Sequence, residues 1–349
     1  MSMIRNPRRD REITRKVIRW FEADARELPW RRKRSGYRAL VAELMLQQTQ
    51  VARVLEYYDR FLRRFPTIRD LARADEQDVL AQWQGLGYYR RARHLHAAAR
   101  AVVSDHRGRL PRSAAELEKL PGIGRYTAGA IASIVHDERV PIVDGNVTRV
   151  LARLEGRRSS AHDGKGQAAT WQTASRLVGR AASSSRFNEG LMELGALICT
   201  PRQPNCKSCP LARHCRARQH HAQHLIPPPK PGPRQQPVHH HAVIVQRRAR
   251  TLLEQRPATG LWSNMWQVPT LESPTPLSGE ELREHLSVPL THLEPVDSFR
   301  HQTTHRRITF HVYLGRTRLR RGTWCTQEEA ASLPLSNPQR RILEIALRA

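Results

Sequence analysis

The sequence predicts a chain in two parts, a mainly α-helical region followed by a smaller α+β domain. Three observations carry this expectation. Between residues 10 and 220 apolar side chains recur at intervals of three and four, with glycine and proline at punctuating positions. Residues 222–237 (AQHLIPPPKPGPRQQP) hold six prolines and a glycine, the composition of a stiff, extended linker. Beyond them the period changes. Val238–Val245 (VHHHAVIV) and Ile308–Leu314 (ITFHVYL) alternate and are rich in β-branched residues, as strands do, whereas Glu280–Leu286 and Pro338–Leu347 read as helices. The expected organisation is a helical region over 1–221, a linker over 222–237 and a second domain over 238–349.

Charge gives the first functional constraint. The 349 residues carry 59 basic and 32 acidic side chains, a net +27. Residues 1–233 hold 43 basic and 22 acidic residues, and residues 234–349 hold 16 and 10. Like charges repel, so such an excess suits a polyanionic partner, bound chiefly to the first part. No run approaches the roughly 18 apolar residues of a membrane span. The basic N-terminus (MSMIRNPRRDREITRKVIRWF) lacks the apolar core of a signal peptide and reads as an amphipathic helix. A cytoplasmic protein with no membrane partner is expected, and its cysteines are expected to be ligands rather than disulfides.

The first helical segment of interest is Leu40–Val51 (LVAELMLQQTQV), in which Glu43 interrupts an apolar run. A buried acid is costly unless paired or neutralised, so Glu43 is either a solvent-facing residue or a functional exception. Further on, Pro121-Gly-Ile-Gly124 forms a tight turn between two helical patterns. Gly122 and Gly124 allow positive φ and close approach of the backbone, and the helix start behind them favours a phosphate. The pattern is that of a helix-hairpin-helix, a sequence-independent DNA clamp. Asp144 and Asn146 then interrupt an apolar flank (VPIVDGNVTR), where an N-cap is the plain reading. Cys199, Cys206, Cys209 and Cys215 follow with spacing C-x6-C-x2-C-x5-C. Four thiolates in seventeen residues can wrap zinc or a [4Fe–4S] cluster, and spacing does not separate the two. Arg202, in the loop between the first two cysteines, suits a phosphate backbone. The adjacent His239–His241 point to alternating strand faces, so no metal is expected there.

Read together, LPWR (28–31), ELMLQQTQV (43–51), GLGYYRRAR (85–93), LPGIGRYTAGAI (120–131), VDGNVTRV (143–150), ELGALICT (193–200) and the cysteine spacing resemble the MutY type of adenine DNA glycosylase, within the endonuclease III superfamily. The resemblance covers most of the chain. It implies a helix-hairpin-helix glycosylase fold with a [4Fe–4S] cluster on the four cysteines (loop 199–215) and a C-terminal Nudix-like α+β domain. It also implies the activity: excision of adenine opposite 8-oxoguanine or guanine in double-stranded DNA, by a monomer. By that resemblance Glu43 protonates N7 of a flipped adenine, Asp144 meets the oxocarbenium ion, Tyr126 and Asn146 support the pair, and Glu189 orients water or the base. Gln48 and Tyr88 match the wedge residues at the lesion. Leu86 shares the turn of Tyr88, and Arg26 and Arg31 flank the pocket as candidate sugar or phosphate contacts. Endonuclease III-type enzymes carry a Schiff-base lysine where this chain has Tyr126, so lyase chemistry is expected to be weak or absent.

Leu252–Pro269 resembles the opening of a Nudix fold, but GEELREHLSV lacks the later glutamates of a metal-binding Nudix helix. A lesion reader is therefore expected rather than a pyrophosphatase. The family's Phe-Ser-His loop corresponds here to Thr303-Thr304-His305, which keeps the hydroxyl and the imidazole and lacks the phenyl ring. Two rival readings are a bifunctional glycosylase/lyase of the endonuclease III kind, against which Tyr126 speaks, and a non-catalytic iron–sulfur DNA-binding protein, against which the pair Glu43 and Asp144 speaks.

Overall fold

The computed structural model describes residues 6–159, 163–229, 232 and 234–348. Residues 1–5 of the basic N-terminal stretch, and 230, 231 and 233 of the proline-rich linker, lie outside the described residues. In chain order the helices are α1 (Pro7–Asp24), α2 (Pro29–Arg32), α3 (Gly36–Leu46), α4 (Val51–Arg64), α5 (Ile68–Arg73), α6 (Glu76–Trp83), α7 (Arg90–Asp105), α8 (Ala114–Leu117), α9 (Arg125–His136), α10 (Gly145–Glu155), α11 (Gly164–Val178), α12 (Ser184–Leu197), α13 (Arg216–Gln219), α14 (Gly279–His285), α15 (Gln327–Ser332) and α16 (Asn337–Ala346). The strands are β1 (Gln236–Arg247), β2 (Arg250–Gln255), β3 (Trp266–Gln267), β4 (Thr270–Ser273), β5 (His292–Gln302), β6 (Arg306–Arg316) and β7 (Thr323–Cys325). Two compact units result, Met1–Arg73 with His94–Pro231, and Ala74–Arg93 with Gly232–Ala349.

In the first unit α12 is the central element, packed by α1, α9 and α10. Its sequence explains the position. Phe187, Leu191 and Leu194 join Ile13 and Val17 of α1, Val147 and Leu151 of α10 and Leu177 of α11 in one core. The same helix also buries Glu189 and Glu193, two acids one turn apart. Helix α3 is apolar nearly all round and buries Leu40 through Met45, so Glu43 has no solvent side to turn to. The turn before α9 forms the expected hairpin. Gly122 has φ +72°, and a Cβ there would lie 2.3 Å from Cγ of His94, so both backbone conformation and space require glycine. Asp144 caps α10 through its side chain.

The second unit is built on a seven-stranded sheet in the order β3-β2-β1-β6-β5, with β4 paired to β1 and β7 to β2. Strands β1 and β6 run parallel, the remaining pairings antiparallel. The period-two pattern of β1 feeds two cores. Ala242 and Ile244 pack with Ile342 and Ala346 of α16, while Val243 and Val245 pack with Leu282 and Leu286 beside α14. On one face of β1 the rings of His239 and His241 both stack on His311 of β6, with His239 Nδ1 2.9 Å from His311 Nε2. His240 faces the other side, against Phe310 and Trp262.

Segment 74–93, read from sequence as part of the helical region, packs within the second unit. Asn264 Nδ2 donates to Glu76 Oε1 (2.7 Å), Trp266 Nε1 to Gln77 Oε1 (3.0 Å) and Arg93 Nη1 to the Ser263 carbonyl (2.7 Å). Nothing in the local periodicity of α6 distinguishes it from its helical neighbours. Its partners are polar side chains some 190 positions away in sequence, and helical periodicity reports no such contact.

Candidate active site

One cleft of about 710 Å³ in the first unit brings the acidic candidates together. It is lined by Glu43 of α3 and Gln47 just after it, Tyr126 of α9, Asp144 and Asn146 at the start of α10, and Glu189 and Glu193 of α12. The elements that deliver them are packed on one another, α3 on α9, and α9 and α10 on α12.

The two principal carboxylates sit in different surroundings. Glu43 is 7 % exposed and its Oε2 has no hydrogen-bond partner. Burial raises its carboxyl to about 7. The Tyr126 hydroxyl pulls against that shift, the negative charges of Asp144 and Glu189 add to it, and Arg31 again opposes it. The Tyr126 hydroxyl itself donates to Met192 Sδ at 3.6 Å, so it approaches Glu43 without satisfying the orphaned oxygen. Burial raises Asp144 as well, but both of its oxygens are occupied. Oδ1 accepts from the Val147 backbone N–H (2.7 Å) and Oδ2 from Asn146 Nδ2 (3.0 Å), and these donors, with Arg149, favour the anion. A carboxylate with two donors suits the charged form; a buried carboxyl with a bare oxygen suits a proton.

Around this pair lies an internal ion network. Arg26 binds Glu193 through Nε (2.7 Å) and Nη2 (2.8 Å). Arg31 reaches Glu189 (3.2 Å) and Glu193 (3.1 Å), and Arg34 reaches Glu189 (2.7 Å). Burial alone would push Glu193 up, yet the hydrogen bonds from Arg26 and Arg31 hold it down at about 2. Both flanking arginines anticipated from sequence are thus engaged with carboxylates. Arg34 and Glu193 were not anticipated. The available signal was the i, i+4 spacing of Glu189 and Glu193 on a helix with an otherwise apolar face.

A hydrogen-bonded chain leaves the cleft along α10. Asn146, which donates to Asp144, accepts from Arg149 Nη2 (2.7 Å), and Arg149 Nε donates to the Cys199 carbonyl (2.7 Å). One turn further Arg153 Nη1 lies 3.4 Å from Cys199 Sγ and donates to the Thr200 carbonyl (2.7 Å). Gly195 permits this closeness, because a Cβ there would lie 2.6 Å from Cβ of Asn146.

Residues 41–175 match the profile of the HhH-GPD superfamily base excision DNA repair protein, and residues 240–345 that of the NUDIX domain. The adenine DNA glycosylase of Homo sapiens is 34% identical over 398 residues, covering 94% of this chain and 73% of the human protein. The chain belongs to the adenine DNA glycosylase family. The adenine DNA glycosylase of Rattus norvegicus is 33% identical, with 95% of this chain and 77% of that protein covered. Among solved structures, a thermostable thymine-DNA glycosylase superposes with a TM-score of 0.56 at 29% identity, over 61% of this chain and 98% of that one. The family places the cleft in a DNA-binding enzyme with a helix-hairpin-helix region and a Nudix-like C-terminal domain.

The four predicted cysteine ligands line one small cavity of about 20 Å³ together with Arg153 and Arg218. Burial pushes the Cys209 thiol up to about 12 and raises Cys206 and Cys215, so thiolates there need strong positive charge. No three His, Cys, Asp or Glu among the described residues are set to hold a metal ion. Four thiols around one void are nevertheless the donor chemistry of a thiolate-bound metal group.

The expected DNA contacts fall in both units. In the first, Gln48 is exposed with φ 55°, and Arg202 is exposed on the cysteine loop. In the second, Tyr88 is 48% exposed with φ 49°, and its hydroxyl lies 3.2 Å from Thr304 Oγ1. His305 is exposed beside Thr304. Leu86 is buried at 6% exposure behind Tyr88, and its carbonyl accepts from Arg91. It supports the turn rather than presenting a side chain to solvent.

Proposed function

We propose that this enzyme removes adenine paired with 8-oxoguanine or guanine by hydrolysis of the N-glycosidic bond, without cutting the strand. The observation that carries this reading is the unlike state of two carboxylates in one cleft: Glu43 with a bare, buried oxygen and a carboxyl raised to about 7, and Asp144 with both oxygens bonded. A purine inside a duplex cannot reach such a cleft, so the adenine turns out of the stack. Glu43 gives its proton to N7 and the C1′–N9 bond breaks. Asp144 stabilises the positive charge on the sugar, and water adds to C1′ as Glu43 recovers a proton from it. Glu189 and Asn146 hold the water and the carboxylate in place. Tyr126 supplies no amine for a Schiff base, which supports a monofunctional enzyme.

In this reading Gln48 and Tyr88 fill the vacated stack. The hairpin of Gly122 and Gly124 and the loop of Arg202 hold phosphates, and Thr304 and His305 meet the opposite base. Cys199, Cys206, Cys209 and Cys215 hold a [4Fe–4S] cluster, which pins the loop that carries Arg202. In α14, Glu281 is used in a capping box with Ser278, which supports a reader rather than a Nudix hydrolase. The test is a duplex with adenine opposite 8-oxoguanine, incubated with enzyme and then split between alkali and neutral buffer. Adenine release with strand scission only after alkali is expected. Scission in neutral buffer would favour the bifunctional alternative, and no release the non-catalytic one.

A further inference from the structure

We propose that the second unit carries a separate polyanion-binding edge, formed by Arg247, Arg248, Arg316, Arg318, Arg320 and Arg321, which takes phosphates of duplex DNA well away from the lesion. Three observations converge on it. Strands β1 and β6 are parallel neighbours, with Val245 opposite Gly315, so their C-terminal ends emerge side by side and both run into arginine-rich segments. All six residues are exposed, and among the described residues none of the six side chains has an ion-pair or hydrogen-bond partner. Four other arginines of the unit are ion-paired: Arg256 and Arg306 with Glu272, Arg341 with Asp297 and Arg250 with Glu329. Residues 234–349 carry 16 basic and 10 acidic side chains, a net +6, and six of the basic residues lie on this edge.

The backbone adds a third observation. The two-residue turn between β1 and β2 holds Arg248 at φ 47° and Ala249 at φ 58°. Such a turn favours asparagine and glycine, and here a guanidinium occupies it instead. The edge is also remote from Thr303–His305, which precede β6. Eleven residues of strand separate them, a distance of roughly 33 Å, or about ten base pairs of duplex. The phosphates it meets are therefore not those of the lesion pair. The distance from the lesion rests on the proposed placing of Thr304 and His305 at the opposite base; the chemistry of the cleft does not enter.

The experiment compares the full chain with its R247Q/R248Q/R318Q/R320Q variant by fluorescence anisotropy, on undamaged duplexes of about 15 and about 40 base pairs across a salt series. The wild type is expected to gain affinity with length. The variant should lose that gain, binding the longer duplex about 10-fold more weakly, with the slope of log K against log salt smaller by about 2–3. Adenine release from a saturating short mispaired duplex should be unchanged, which keeps this test separate from the reading of the cleft. Equal affinity and slope on the longer duplex would overturn the proposal. So would an equal loss on both lengths, or tight binding of poly-glutamate by the wild type with no DNA defect in the variant. A milder R318Q/R320Q variant should show about half the change in slope, which guards against misfolding as the cause.

Discussion

Arginine serves opposite ends in the two units. In the cleft Arg26, Arg31 and Arg34 are tied to Glu189 and Glu193, and their charge is consumed inside the protein. At the far edge of the second unit six arginines face water with no partner. The difference is one of dielectric. In a dry site a charge pair is strong enough to hold Glu193 at about 2 and to leave Glu43 alone to bear a proton. In water a lone guanidinium interacts weakly with any one group, and only a row of them facing a polyanion gains by releasing counterions. A high net charge therefore says little until each cation has been assigned to one use or the other.

The sharpest way to break this contrast is Glu43→Gln. Adenine release measured in single turnover should fall about 10³-fold while duplex affinity stays within a few-fold. Comparable turnover by this variant would remove the acid from the mechanism. Asp144→Asn retains the cap on α10 and deletes the charge, so release should fall about 10²-fold with little loss of thermal stability. A normal rate would assign Asp144 to capping alone. Arg149→Gln should cost about 10-fold through misplacement of Asn146 and Asp144, with unchanged affinity for a short duplex. An effect on affinity instead would place Arg149 among the phosphate contacts.

Smaller effects are expected from pH. Because protonated Glu43 is the active form, the rate should decline above about 7, by up to tenfold per unit, and fall again in acid as Asp144, raised by burial, takes up a proton. The stability linkage has a definite sign. The folded carboxyl is raised above its unfolded value of 4.5, so the folded protein binds more protons, and stability falls as pH climbs from 4.5 to about 7. Glu193, lowered to about 2, acts the other way: its contribution is present above 4.5 and is lost as pH falls toward 2. Denaturant titrations of Glu43→Gln should show a flatter dependence between pH 4.5 and 7 than the wild type, by an amount on the order of 2–3 kcal/mol. An unchanged dependence would mean that Glu43 is not the buried acid described here.

Much of the fold was legible in the chain because it rests on local periodicity. The strand read at 238–245 runs over 236–247, the one read at 308–314 over 306–316, and the helices read at 280–286 and 338–347 lie at 279–285 and 337–346. The short strands β3, β4 and β7 left no trace, being two to four residues long and held by pairing with β1 and β2. In the cleft, Glu43 and Asp144 stood out because a charged residue in an apolar run is itself a local anomaly. Arg34 and Arg149 did not, because nothing beside them in sequence distinguishes them from surface residues, and Glu193 offered only its i, i+4 spacing from Glu189.

By itself the sequence determined which residue types could do the chemistry, the change from a helical region to a strand-bearing one, and the large positive charge. Tertiary structure alone decided how those charges are divided. It paired Arg26 and Arg31 inward and left Arg318 and Arg320 outward, moved segment 74–93 into the second unit, and set an unbonded oxygen of Glu43 across a cleft from a fully bonded Asp144. The reason is physical. Periodicity is a property of neighbours along the chain, whereas burial, ion pairing and the protonation they set arise between residues 167, 189 or 216 positions apart in sequence and exist only once those elements have packed.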